Sequence, residues 1–266
     1  MAHVLFLLSS QGHDPTELFI PALHFLKCGF SLTFATNDGE PAQADQKLLE
    51  RGSFGRVWGA SEEGRMAYEQ ILQLEAFQKP DSWGSERFNV LDYGTPPSQT
   101  SLWADAIILP GGHDKPIRAF LESKTLQAHL RTFWPFLSRS SSDRPRVIGA
   151  ICHGSLALAF TELPSGQSVL RGVCSATLPR WMERAAWWGS QFWGLGGYYR
   201  TYGPEGRWCA DDIVASGAKY VQGPLSTSPF VCVDPEWRYV SARFPGDAKL
   251  FAQKVEEEIR LAMGER

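Results

Sequence analysis

Only five cysteines occur in the 266 residues, at positions 28, 152, 174, 209 and 232, and no Cys-x-x-Cys pair is among them. An odd count without that pairing argues against a disulfide framework or a Cys-rich zinc site, and free thiols suit a reducing compartment. The chain also lacks any run of lysine and arginine, and its formal net charge is only -3. Electrostatics therefore give no reason to expect nucleic acid or an anionic membrane as a partner. Long apolar runs are missing too. The first one, residues 4–8, is too short to span a membrane and has no basic leader, so it reads as a buried first strand, with the cytosol as the default location. Neither an internal repeat nor a low-complexity tract is visible. What is present is ordinary for a globular protein: 43% apolar and 21% charged residues. The length suits a single α/β domain over residues 1–266, with a core of normal size.

The apolar pattern supplies the order of elements. Residues 4–8 form a short continuous apolar run, as a strand buried on both faces does. Leu18, Ala22, Phe25 and Leu26 then follow at helical spacing, and Gly29 stops that helix where a C-terminal cap is usual. Residues 32–35 make the next strand, completing a β-α-β unit and implying a parallel sheet. Residues 106–109 and 147–151 are two further buried strands, with a helical stretch at about 117–138 between them. Shorter strands are expected at 169–174, 219–222, 229–234 and 238–242, and an amphipathic helix at 247–263. Residues from about 40 to 103 break the rhythm and read as an insertion or cap that roofs a pocket. The fold class is α/β, a mostly parallel sheet sandwiched between helices.

The chemistry concentrates at Cys152. The segment Gly149-Ala150-Ile151-Cys152-His153-Gly154-Ser155 surrounds a nucleophile with small residues, as a tight strand-to-helix turn requires. Such a turn sits at the carboxyl end of the sheet, where open α/β sheets bind ligands, and the helix amides beyond it favour thiolate. His153 is placed to move a proton. Gly111-Gly112 follows another buried strand, and the amides of Gly112 and His153 are candidate oxyanion donors. Glu17, at the start of the first helix, is either a favourable helix-end charge or a carboxyl reaching the Cys152 sulfur. A third group must orient the histidine. Glu183 is the first candidate, ahead of Asp211 and Asp212. Trp181, Trp187, Trp188 and Trp193 crowd into thirteen residues. They pack a helix into the core, line a pocket, or do both.

Together, Leu-Pro-Gly-Gly-His-Asp at 109–114 and Ile-Gly-Ala-Ile-Cys-His-Gly at 148–154 resemble the ThiJ/PfpI superfamily, which has a flavodoxin-like, class I glutamine amidotransferase-like fold. Gly12-His13-Asp14-Pro15-Thr16-Glu17 and Ser241-Ala242-Arg243-Phe244-Pro245-Gly246-Asp247 are similar to its first helix and last strand-to-helix junction. A histidine directly after the cysteine resembles the branch holding glyoxalase III and related heat-shock chaperones. That resemblance implies a Cys152–His153–Glu183 triad, Glu17 against the cysteine, Gly112 and His153 as oxyanion donors, and Gly111, His113, Trp187 and Trp188 around the substrate. It implies a cofactor-free, metal-free enzyme acting on a small-molecule carbonyl compound, converting a 2-oxoaldehyde to a 2-hydroxy acid, in a possible homodimer. The tryptophan-rich segment departs from glyoxalase III and is similar to a largely fungal and bacterial subgroup. It suggests instead a hydratase, hydrolase or cyclase on a larger aromatic metabolite. Residues 40–103 lack an evident match to the chaperones' metal-binding segment. A holdase chaperone or a redox sensor is the non-enzymatic alternative.

Overall fold

The computed structural model of the protein describes residues 1–50, 57, 59–91, 104–140, 144–197 and 199–265. The continuous apolar runs form the centre of a seven-stranded sheet. Its strands are β1 (His3–Leu7), β2 (Ser31–Thr36), β3 (Asp81–Ser82), β4 (Ala106–Leu109), β5 (Val147–Ile151), β6 (Val231–Val233) and β7 (Tyr239–Ala242). Every residue of β1, β4, β5 and β7 is buried. Their order is β6-β7-β5-β4-β1-β2-β3, and all neighbours run parallel except β6 and β7, which are antiparallel. Parallel neighbours bring the carboxyl ends of β1, β4 and β5 to one rim.

Helices cover the sheet. The longer ones among the described residues are α1 (Pro15–Lys27), α2 (Glu62–Ile71), α3 (Lys124–Phe133), α4 (Gly154–Ala159), α5 (Arg180–Phe192), α6 (Cys209–Ala215) and α7 (Ala248–Ala262). α1 packs on α2 and α7, and α7 lies over β5 and β7, while α4 packs with α3, β4 and β5. No helix among the described residues is long and apolar enough to cross a membrane.

Several boundaries move for local reasons. α1 begins before its apolar stripe because Asp14 accepts hydrogen bonds from the Thr16 and Glu17 amides at 2.7 and 3.1 Å, with Pro15 at the first helical position. The strands expected at 169–174 and 219–222 shrink to Cys174–Ser175 and Lys219–Tyr220, which pair with each other and stay out of the main sheet. Within 40–103, Asp81–Ser82 adds an edge strand, and Leu48 joins Ala186 and Tyr199 in a small second apolar cluster. Residues 92–103 of that stretch lie outside the described residues.

Candidate active site

The turn after β5 holds Cys152 at φ 55°, in the left-handed region that a side chain rarely adopts. Three hydrogen bonds fix it there. The Cys152 amide donates to the Ala242 carbonyl at 3.0 Å, and the Cys152 carbonyl accepts from the Ser155 and Thr177 hydroxyls at 2.9 and 2.8 Å. Gly154 follows because space runs out: a Cβ there would collide with the Leu109 carbonyl of β4. The result is a thiol displayed at the sheet rim, only 4% exposed.

A fully buried imidazole links this thiol to a fully buried carboxylate. His153 Nδ1 lies 3.5 Å from Cys152 Sγ, and its Nε2 lies 3.6 Å from Glu183 Oε1. Glu183 is delivered by the first turn of α5, and its Oε2 accepts from the Cys209 amide at the start of α6 at 2.9 Å. That bond leaves Oε1 to face the histidines, since His113 Nε2 is 3.9 Å away. Burial works to raise the Glu183 carboxyl, but His113 and His153 outweigh it and hold the group below the usual carboxylate range. His113, Glu183 and His153 place their ligand atoms within 4.8 Å of one another. This is a set that could grip a divalent cation, at the expense of the proton path from Cys152.

Under the thiol lies Glu17, fully buried. Its Oε2 accepts from the Gly111 amide at 3.1 Å, and its carboxyl also interacts with the Cys152 side chain. Burial first, then the neighbouring Asp14, pushes Glu17 well above the usual carboxylate range. Burial also raises the Cys152 thiol well above its ordinary value, with Glu17 adding to the effect and the His153 amide opposing it. Both effects favour the thiol form of Cys152 over the thiolate. The helix-end amides do not overcome its desolvation.

Cys152, Glu17, Gly112 and His113 line a cavity of about 80 Å³, closed by Asp14, Leu48, Leu178, Met182, Ala186, Tyr199, Phe244 and Pro245. Gly112 is confined as tightly as Gly154, because a Cβ there would strike the Gly12 carbonyl. Tyr199 sets its ring edge-on to His113, with centroids 4.5 Å apart. The chamber joins the Cys152 thiol, the His113 imidazole, the Asp14 and Glu17 carboxyls and an apolar wall, with His153 and Glu183 just behind the thiol. It suits addition of sulfur to a small electrophile with proton transfer at the adjacent atom.

The ThiJ/PfpI family-like profile matches residues 8–224, most of the chain. The chain belongs to the ThiJ/PfpI family. An uncharacterized protein of Schizosaccharomyces pombe is 29% identical over 262 residues, covering 97% of this chain and 84% of that one. Protein/nucleic acid deglycase HchA of Staphylococcus aureus is 25% identical over 178 residues, 66% of this chain and 52% of its own length. The chain thus matches about half of that relative. Glyoxalase III of Candida albicans has a similar fold, with a TM-score of 0.66 at 17% identity and 97% coverage of both chains. These matches bear out the ThiJ/PfpI resemblance carried by the Pro-Gly-Gly turn and the Cys-His-Gly elbow.

Within this ThiJ/PfpI site, Cys152, His153, Glu183, Glu17, Gly111, Gly112 and His113 converge, and Trp187 and Trp188 do not. α5 turns Glu183, Ala186 and Ser190 inward. Trp188, five residues after Glu183, lies about 140° round the helix and is 54% exposed. Trp187 packs instead against Trp188 and Trp208, with the Arg200 guanidinium over the Trp208 ring at 3.7 Å. Asp211 and Asp212 pair instead with Arg180 and Arg207. Sequence reasoning missed Asp14, Leu48, Met182, Tyr199 and Phe244 in the wall. Only Asp14, three residues before Glu17, carried a usable signal.

Proposed function

We propose that the chain is a cofactor-free cysteine enzyme that converts a small 2-oxoaldehyde to the corresponding 2-hydroxy acid. The observation that carries this reading is the line of Cys152, His153 and Glu183, spaced at 3.5 and 3.6 Å, with the thiol in the wall of a cavity of about 80 Å³. Cys152 sulfur adds to the aldehyde carbon while His153 takes the thiol proton, and Glu183 stabilises the imidazolium. The amides of Gly112 and His153 and the protonated Glu17 offer donors to the new oxyanion. His153 returns that proton to the oxyanion, giving a hemithioacetal, and the neutral ring then moves the former aldehyde hydrogen, as a proton, to the neighbouring carbon through an enediol, leaving a thioester of the hydroxy acid. Water hydrolyses the thioester, returning the thiol and the acid. The sum is oxoaldehyde plus water to hydroxy acid, with no external oxidant.

The cavity supports a substrate of few heavy atoms, since sites for drug-sized ligands run to about 300–1,000 Å³. The larger aromatic metabolite finds no such room, and the tryptophans that suggested it lie outside the wall. The deglycase relative named for proteins and nucleic acids supports thiol chemistry on carbonyl compounds. Lactate formation from methylglyoxal, compared between the wild type and Cys152→Ala, tests the proposal. The wild type should form lactate, and the variant should lose at least about 10³-fold in kcat/KM. Equal rates in both, or no product from any small 2-oxoaldehyde, would overturn it.

A further inference from the structure

A second group of metal-ligating side chains lies away from the cavity, where α1 meets α7. His24 in the last turn of α1, Cys28 at its C-terminal end and Glu256 of α7 present ligand atoms all within 4.8 Å of one another. His24 and Cys28 are four residues apart, so one helix face carries both. His24 Nε2 lies 2.7 Å from Glu256 Oε2 and 3.6 Å from Cys28 Sγ. The three residues are partly buried, so solvent reaches the group without flooding it.

We propose that His24, Cys28 and Glu256 form a binding site for a thiophilic divalent cation of the zinc type, with water as the fourth ligand. The donor set is mixed N, S and O, which zinc accepts in tetrahedral geometry. Tetrahedral zinc with ordinary bond lengths holds a sulfur and a nitrogen ligand about 3.6 Å apart, which is the separation already present between Cys28 and His24. A nitrogen and an oxygen ligand stand about 3.3 Å apart around the same ion. Admitting it therefore asks the His24–Glu256 pair to open by roughly 0.6 Å, within the reach of a glutamate rotamer.

The surroundings favour that geometry. Arg260 donates from Nε to Glu256 Oε1 at 2.8 Å, and its Nη1 reaches Glu265 Oε2 at 2.9 Å. Arg260 thus holds the oxygen that the ion does not need and aims Oε2 at His24, as an outer partner orients a ligating carboxylate. The Glu265 carboxylate offsets the Arg260 charge near the ion. The three ligands join positions 24 and 256, nearly the two ends of the chain. An ion there would clamp α1, which carries Glu17, to α7.

Cobalt(II) titration of the untagged full chain, followed by absorption, tests the site, because a cysteine thiolate bound to cobalt gives a near-ultraviolet charge-transfer band. The band should saturate at one equivalent per chain and persist in Cys152→Ser, and it should vanish in Cys28→Ser. His24→Gln should weaken binding at least 10-fold, a size typical of loss of a ligand or its support. In the wild type, added zinc should raise Tm with the logarithm of free metal, and Cys28→Ser should flatten that response. A band that survives Cys28→Ser, or that needs Cys152 or His113, overturns the proposal and assigns the metal to the catalytic cluster. Absence of any saturable band, with all variants folded by circular dichroism, overturns it as well.

Discussion

Cys152 is held in a costly backbone conformation and in a desolvated place, and both features bear on how it reacts. Because burial raises its thiol, thiolate is scarce in the free protein at neutral pH. Alkylation of Cys152 by iodoacetamide, resolved by mass spectrometry from the other cysteines, should therefore be slower at pH 7 than that of a free cysteine. The rate should keep rising at alkaline pH where a free cysteine has levelled off. A rate at pH 7 equal to or above that of free cysteine would contradict this and revive the redox-sensor reading. In the proposed mechanism the Glu183 carboxylate acts through His153. Glu183→Gln keeps the size and removes the charge, so kcat should fall about 10²- to 10⁴-fold with a smaller change in KM. An unchanged kcat would remove Glu183 from the relay. Cys152 and His153 could be read from the sequence because the tight turn needs small neighbours on both sides. Glu183 was one of several acids until α5 was seen to turn it inward. Tyr199 and Leu48 reach the cavity from remote segments, and nothing in local spacing marks them.

Elements were legible to the degree that they are buried on their own account. β1, β4 and β5 read as continuous apolar runs because helices cover the sheet around them. The pieces at 174–175 and 219–220 were legible only as longer strands at 169–174 and 219–222, since two-residue ladders leave too little periodicity to fix their ends. α5 misled for a different reason. Its bulky tryptophans drew attention, whereas its inward positions are Glu183, Ala186 and Ser190. The junction of β5 and α4 tolerates no side chain at Gly154, where the Leu109 carbonyl stands in the way. Gly154→Ala should therefore cost about 1–3 kcal/mol, measured by urea denaturation, and lower kcat by shifting Cys152. Unaltered stability and activity would show that β4 can yield at this point.

At the scale of the molecule, the buried acids around the cavity couple stability to pH. Asp14 is raised from 3.8 to about 7, by burial first. The folded state thus keeps a proton that the unfolded state releases once pH exceeds about 4. The stability from that proton is full below the unfolded pKa and is lost as pH rises through about 7. Asp45, raised to about 6, adds in the same sense. His13, lowered to about 3 by burial, works against both at acid pH. Asp14→Asn isolates the effect, because asparagine mimics the neutral acid and still caps α1. The stability of the wild type relative to Asp14→Asn should decline from pH 4 to pH 7 and then flatten, as followed by Tm at each pH. A difference that stays constant across that range would contradict the assignment.

The flanks of the sheet have a bearing on how copies of this chain meet one another. One flank ends in Asp81–Ser82, a two-residue strand that begins with an acid, and the other in the three-residue β6, which runs against the grain and packs on Cys174–Ser175. Strands left long and bare at a border act as templates on which another chain can continue the ladder. Among the described residues each border offers two or three residues. Growth by adding strand to strand finds little to copy, and crowded or heat-stressed copies would have to unfold before they could join in that way.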